Sequence, residues 1–307
     1  MNEFVNIDNY KDGMLFDEKM SKHTTYKIGG PARIFTEAWT ISHLQLILEN
    51  AKNENLKVFI IGGGSNLLVS DDGFDGIVIK LNNGFNEINL DESNNVYNCG
   101  AAVKTSNLVK NYLTNMHQGA EFLVGIPGTI GGAIKMNAGR KEAWISSIIE
   151  NITTIDLDGN IIERNVDEFN WGYRYSSIKD DEIVLSANLK YEKCTDISAI
   201  EKEVARLNEE RKSSQPIGKL CCGSVFKNPK GNSAGKLIEE AGFKGKSVGG
   251  AKVSDAHANF IINENNASAS DVLNLIQQIQ TAVYDKFDVK LIPEVKFLGF
   301  NEKCSLF

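Results

Sequence analysis

The stretch LKVFIIGGGSN, residues 56–66, is an apolar run rich in β-branched residues that stops at three consecutive glycines. Such a run reads as a buried strand ending in a tight turn. About sixty residues further on, GIPGTIGGA at 125–133 is again rich in glycine and poor in charge. With no Cβ in the way, successive backbone N–H groups can converge on an anion, which is how a loop cradles phosphate. Leu67 stands where a dinucleotide G-x-G-x-x-G would place its last glycine, and neither loop continues into Gly-Lys-Ser/Thr. One such loop alone reads equally well as a turn. Two in one part of the chain point to a dinucleotide held by backbone.

Around the loops, helical and extended patterns alternate. Ile41, Leu44, Leu48 and Ala51 recur at helical spacing. GIVIKL at 76–81 and NVYNCG at 95–100 read as strands, and KTSNLVKNYLTN at 104–115 as a short helix. NITTIDLDGNIIERN at 151–165 carries alternating runs on either side of Asp158-Gly159, a strong hairpin signal, and EIVLSANLKYE at 182–192 supplies another strand. The texture then changes. Residues 196–216 place Ile197, Ile200, Val204 and Leu207 on one helical face, with Pro216 beyond its end. A helix at 233–241 stopped by Gly242, a strand HANFIIN at 257–263, a helix at 270–287 with a Ser268/Asp271 capping box, and a strand KLIPEVKFLG at 290–299 complete the pattern. The fold class is α+β, with a larger first domain, 1–195, and a smaller α+β domain, 196–307.

The 307 residues, 42% hydrophobic and 24% charged, suit an ordinary globular protein of about two domains. A net charge of -7 argues against a sequence-independent grip on nucleic acid or on an anionic membrane surface. The N-terminal MNEFVNIDNYKDG lacks the basic and apolar regions of a secretory signal, and no apolar run approaches a membrane span, so the expected location is cytoplasmic. Cysteines at 99, 194, 221, 222 and 304 show no CxxC spacing, so no metal site is indicated and the thiols read as reduced and structural.

The motif LCCGSVFKNP at 220–229 sets a hydroxyl, Ser224, after a glycine. It is not the G-x-S-x-G of a nucleophile elbow, and alone it reads as a turn. Its company changes that reading. TTYKIGGPA (24–32), IGGGSNLL (61–68), GIPGTIGGAIKMNAG (125–139), WGYRYS (171–176), CGSVFKNP (222–229), AGKLIE (234–239) and PEVKFLG (293–299) occur in order. From about residue 20 to 300 this series resembles the UDP-N-acetylenolpyruvoylglucosamine reductase family.

The resemblance implies a two-subdomain FAD-binding domain of the vanillyl-alcohol-oxidase type, divided near 95–100, followed by a substrate-binding domain. It implies FAD bound non-covalently, since neither loop holds a His or Cys, with Gly62, Gly63, Gly64, Ser65, Asn66, Gly125, Gly128, Thr129, Gly131 and Gly132 around the pyrophosphate. NADPH would be the hydride donor and UDP-N-acetylglucosamine enolpyruvate the acceptor, the two using one site in turn. Arg174, Ser224 and Glu294 match the family's reaction centre, and the chemistry suits them. Hydride addition to the enolpyruvyl double bond builds negative charge beside the carboxylate, so a cation and a proton are needed. Arg174 can hold the carboxylate in a bidentate fork, Ser224 can protonate a basic carbanionic intermediate, and Glu294 would position that intermediate, protonated or through water. Arg211, Lys227, Asn228 and Lys236 match positions near the substrate's diphosphate and sugar. His257, a lone histidine entering a strand, reads as a satisfied structural residue and not as a catalytic one.

Two departures stand out. NAGRKEA at 137–143 has Arg140 and Lys141 where the family commonly has small and aromatic residues. No tyrosine occurs between Tyr191 and Tyr284, so the chain looks like the shorter subtype without a lid. Two other readings stay open at this point: an FAD-dependent sugar or alcohol oxidase of the same fold, which leaves Ser224 and Glu294 unexplained, and a nucleotide-sugar-binding relative without activity.

Overall fold

The structure is a computed structural model that describes residues 13–140 and 143–300. The N-terminal twelve residues, Lys141 and Cys304, on which readings above rest, lie outside the described residues. Two compact units divide the chain. The first holds residues 13–16, Ile34–Gly63 and Gly76–Glu209; the second holds Asp17–Arg33, Gly64–Asp75 and residues 210–300. The sequence suggests one boundary near 195, whereas compactness groups two short early segments with the C-terminal residues. Each unit has its own apolar core.

In the first unit, helix α1 (Ile41–Asn53) starts at Thr40, whose hydroxyl accepts the His43 N–H at 3.1 Å. It buries Leu44, Ile47, Leu48 and Ala51, the face the spacing marks, and leaves Ile41 exposed. The strand Lys57–Ile61 leads into the first glycine loop and runs parallel to Phe74–Leu81, with Ile61 opposite Lys80. A five-stranded antiparallel sheet follows, ordered Ile161–Asn165, Ile149–Ile155, Ile183–Lys190, Val96–Gly100, Ile88–Asp91. Its first two strands form the hairpin marked by Asp158-Gly159, with Ile155 opposite Ile161 and the turn held by Asp156 Oδ1, which accepts the N–H groups of Asp158 and Asn160. Residues 95–100, where the resemblance suggests a division, contain the sheet strand Val96–Gly100. Helices α2 (Thr105–Thr114) and α3 (Ile130–Lys135) complete the unit, and helix α4 (Ile197–Ser214) buries Leu207 in its core.

In the second unit, helices α5 (Ala234–Glu240) and α6 (Ala269–Phe287) accompany a three-stranded antiparallel sheet of Ser247–Val248, Ala251–Val253 and Ile261–Asn263. The expected capping box of α6 is present, Ser268 and Asp271 bonding each other's backbone N–H. Asp71 adds a second cap, its carboxylate accepting the N–H groups of Ala269 at 2.7 Å and Ser270 at 2.9 Å. Two expected strands are shorter than their apolar runs. His257–Phe260 is a turn, closed by Phe260 N–H to the His257 carbonyl at 3.0 Å, and only Lys296–Leu298 of the last run is extended. That last strand pairs in parallel with Leu67–Val69, Lys296 lying opposite Leu67. Among the described residues no helix is long and apolar enough to cross a membrane.

His43 lies on the buried face of α1, 1% exposed, and neither ring nitrogen has a hydrogen-bond partner among the described residues. Burial lowers its pKa from the usual 6.5. The unfolded chain therefore takes up a proton at a higher pH than the folded one, so stability is full above about 6.5 and falls as the pH drops toward the folded-state pKa. Burial lowers the pKa of His117 and His257 in the same way. Leucine at position 43 removes both the unsatisfied nitrogens and one titrating group. The expected outcome for His43→Leu is a gain of about 1 kcal/mol in urea unfolding at pH 7 and a shallower loss of stability below pH 6.5. A variant whose stability falls in parallel with the parent's across pH 6.5 to 5 would rule His43 out as a contributor.

Candidate active site

The two glycine loops meet within the first unit. A Cβ on Gly62 would lie 2.5 Å from Thr129 Oγ1, and one on Gly63 would lie 3.1 Å from Gly128 Cα. Behind them, Thr129 bridges to Lys104, and the N–H groups of Ile130 and Gly131 donate to the carbonyls of Val103 and Ala101 at 2.8 and 2.9 Å. A Cβ on Gly131 would come 3.0 Å from that of Ala101, while Gly132 has ordinary room. Gly125 and Gly128 take φ values of +71° and +120°, which other residues rarely adopt. Backbone thus approaches the Thr129 side chain at Gly62 and backbone at Gly63, a cradle that any Cβ at 62 or 63 would fill. These residues fit the pyrophosphate of FAD.

Gly64, Ser65 and Asn66 belong to the second unit. Gly64 has φ +59°, and its carbonyl accepts the Thr25 N–H at 3.1 Å. The Thr25 hydroxyl donates to the Cys221 carbonyl at 2.7 Å, tying TTYKIGGPA to the loop that carries Ser224. Asn66 Nδ2 donates to the Glu294 carbonyl at 3.1 Å, and the Asn66 carbonyl accepts the Lys296 N–H at 3.0 Å. The side chain of Asn66 is therefore committed to fixing Glu294.

Ser224 and Glu294 come from adjacent backbones. Phe226 bridges antiparallel to Pro293, the Glu294 N–H donates to the Val225 carbonyl at 2.7 Å, and the Lys227 N–H to that of Ile292 at 2.9 Å. On the other side, Asn259 holds the same segment. Its carbonyl accepts the Val225 N–H at 2.8 Å, and its side-chain amide bonds both the N–H and the carbonyl of Phe226. Gly223 has φ +83° and open space where a Cβ would stand, so the turn into Ser224 needs glycine for its dihedral. Burial raises the pKa of Cys221 and Cys222, the second to well above the usual thiol range. Both thiols stay protonated and are poor nucleophiles.

Arg174 belongs to the first unit, in the hairpin that pairs Trp171 with Ser176 and Gly172 with Tyr175. It takes φ +54°, and its Nη1 donates to the Gly139 carbonyl at 3.2 Å. Buried Asn137 holds the hairpin, donating from Nδ2 to the Gly172 carbonyl at 3.0 Å and accepting the Ser146 N–H at 3.3 Å. Of the expected substrate contacts, Asn228 Oδ1 accepts the Ala234 N–H at 2.9 Å ahead of α5, and Arg211 Nε donates to Gln215 at 3.1 Å. Lys236 is largely exposed, with a long 3.9 Å pair to Glu240. His257 Nδ1 accepts the Asn259 N–H at 3.1 Å.

Sequence reading missed Asn259, Asn137 and Thr25 as positioning residues. All three act through side-chain bonds to distant backbone, for which no local spacing gives a signal.

The cradle sets a test of its own. Gly62→Ala drives a methyl into Thr129 Oγ1, and the expected result is FAD retention weakened roughly tenfold or more, read from flavin absorbance per protein and from flavin dissociation. A fully yellow variant with unchanged dissociation would show that the loops do not close on the cofactor.

Comparison with known proteins agrees with this architecture. Residues 32–165 match the FAD binding domain family, and residues 215–298 match the C-terminal domain of UDP-N-acetylenolpyruvoylglucosamine reductase. The chain is 42% identical over 291 residues to the UDP-N-acetylenolpyruvoylglucosamine reductase of Caldanaerobacter subterraneus subsp. tengcongensis, covering 94% of this chain and 95% of that one. It is 42% identical over 286 residues to the enzyme of that name from Clostridium tetani, covering 92% and 91%. The crystal structure of the Thermus caldophilus reductase superposes with a TM-score of 0.81 at 32% identity, over 93% of this chain and 98% of that one. With both halves matched and near-complete relatives above 40% identity, the chain belongs to the UDP-N-acetylenolpyruvoylglucosamine reductase family.

Proposed function

We propose that the protein reduces UDP-N-acetylglucosamine enolpyruvate to UDP-N-acetylmuramate with NADPH, a step of peptidoglycan precursor synthesis that takes place in the cytoplasm. The larger unit is assigned to FAD and the smaller to the nucleotide sugar. What FAD supplies when bound is hydride, taken from NADPH and passed to the enolpyruvyl double bond.

The residues of this chain do the rest. Arg174 holds the substrate carboxylate in a bidentate fork and offsets the charge that develops beside it, which a lysine could not do with the same geometry. Ser224 gives its hydroxyl proton to the carbon next to the carboxylate, completing addition across the double bond. Glu294 fixes the intermediate beside Ser224. Lys227, Asn228, Lys236 and Arg211 attend the diphosphate and sugar, and the glycines of both loops hold the FAD pyrophosphate. The observation that carries this reading is the pairing of the Ser224 and Glu294 segments through Val225, within the stretch that matches the reductase C-terminal domain.

Stopped-flow absorbance separates the two halves of the reaction. In Ser224→Ala, flavin reduction by NADPH is expected to keep its rate, while reoxidation by UDP-N-acetylglucosamine enolpyruvate slows by roughly a hundredfold or more. Equal slowing of both halves would refute proton donation by Ser224. Reduction of the parent protein with no reoxidation by this substrate would refute the activity itself.

A further inference from the structure

We infer that Trp144 is a positioning residue for Arg174, holding the plane of its guanidinium by the face of the indole ring. The inference deepens the reading above, since it rests on Arg174 binding the substrate carboxylate. The Arg174 guanidinium carbon lies 5.8 Å from the Trp144 ring centroid and 5.2 Å from that of Tyr173. The two rings meet edge to face, 5.7 Å apart at 74°. Both guanidinium distances fall within the roughly 6 Å over which a cation is drawn to a ring face.

The same short ribbon supplies the carbonyl and the ring. Gly139–Arg140 pairs antiparallel with Ala143–Trp144, Trp144 directly opposite Gly139. A Cβ on Gly139 would lie 2.1 Å from the Ala143 carbonyl oxygen and 2.7 Å from Trp144 Cα, so only glycine lets these strands close. That closure sets the indole beside the carbonyl to which Arg174 Nη1 donates. Asn137, at the root of the ribbon, and Ser176, whose hydroxyl donates to the Lys135 carbonyl at 2.9 Å, join it to the hairpin that carries Arg174.

A packing role accounts for less. Ile145 is buried in the first core and Ala143 packs on it, but Trp144 between them is half-exposed and joins neither the core nor its margin among the described residues. A large apolar ring there, in contact with a cation, does its work on the cation. An arginine fork recognises a carboxylate only in the right plane, and a flanking ring reduces the freedom lost on binding.

The test uses the FAD-loaded protein with Trp144→Leu, Trp144→Phe and Arg174→Lys. Calorimetry measures binding of UDP-N-acetylmuramate, which has the carboxylate, and of UDP-N-acetylglucosamine, which lacks it. Leucine keeps an apolar side chain and removes the π face. Trp144→Leu is expected to weaken the carboxylate ligand roughly 3- to 30-fold and leave the other ligand, the flavin content and the thermal midpoint unchanged. Phenylalanine is expected to restore most of the loss. Leu and Phe variants that behave alike, or equal effects on both ligands, overturn the inference. Arg174→Lys is the control: if it too fails to distinguish the ligands, the assignment of Arg174 to the carboxylate falls, and the role of Trp144 with it. If it distinguishes them and Trp144→Leu does not, only the role of Trp144 falls.

Discussion

The second unit depends on the bond between the Asn66 amide and the Glu294 carbonyl, with its return from Lys296 N–H to the Asn66 carbonyl. These two bonds start the parallel ladder of Leu67–Val69 with Lys296–Leu298. Parallel strands cannot be joined by a tight turn, so the long chain between them has to be accommodated before either strand is paired. Much follows from that constraint. Leu68 enters the second core, Ser70 accepts Gly30 N–H and donates to the Leu298 carbonyl, and Asp71 is placed to cap α6. Glu294, one residue upstream of the buried Val295, is fixed by the same ladder on one side and by Val225 on the other. Asn66 thus fixes the backbone on both sides of Val295.

Local physics made much of the architecture legible. The spacing of Leu44, Leu48 and Ala51 marked α1, Ser268 and Asp271 marked the start of α6, and alternation around Asp158-Gly159 marked the outer hairpin of the five-stranded sheet. What was illegible depended on remote partners. Leu15–Lys19, Pro31–Ala38 and Leu67–Val69 are strands that local patterning did not distinguish from loop, and the last of them pairs only with the distant Lys296–Leu298. HANFIIN looked extended throughout because it is apolar. Its first half turns instead, with the His257 ring accepting the Asn259 N–H and the Asn259 side chain turned back onto Phe226. Periodicity reports burial well and cannot report a side-chain amide standing in for a strand.

The site divides the same way. The glycines could be read because backbone freedom is itself the signal, and the structure sets Gly62 and Gly63 against Thr129 and Gly128. Ser224 needed context. Its neighbours Cys221 and Cys222 read as structural thiols, and in the structure burial holds them neutral, with Cys222 part of the second core. In that loop Cys222 serves packing, and the glycine before Ser224 is kept for a positive φ that no other residue takes easily.

Arg174 shows what such a site costs locally. A two-residue hairpin with Asn-Gly at its centre would be relaxed, whereas an arginine in the left-handed region is disfavoured by about 1–2 kcal/mol. The hairpin is short and cannot offset this through its own ladder of Trp171–Gly172 with Tyr175–Ser176. The offset comes from outside, through Asn137 to Gly172, Ser176 to Lys135 and Arg174 itself to Gly139, each bond contributing about 0.5–1.5 kcal/mol. Two of these three bonds are made to carbonyls in residues 135–139, just before the point where the sequence departs from the family's usual small and aromatic residues. A local rule is broken at Arg174, and the surrounding hydrogen bonds are arranged so that it can stay broken.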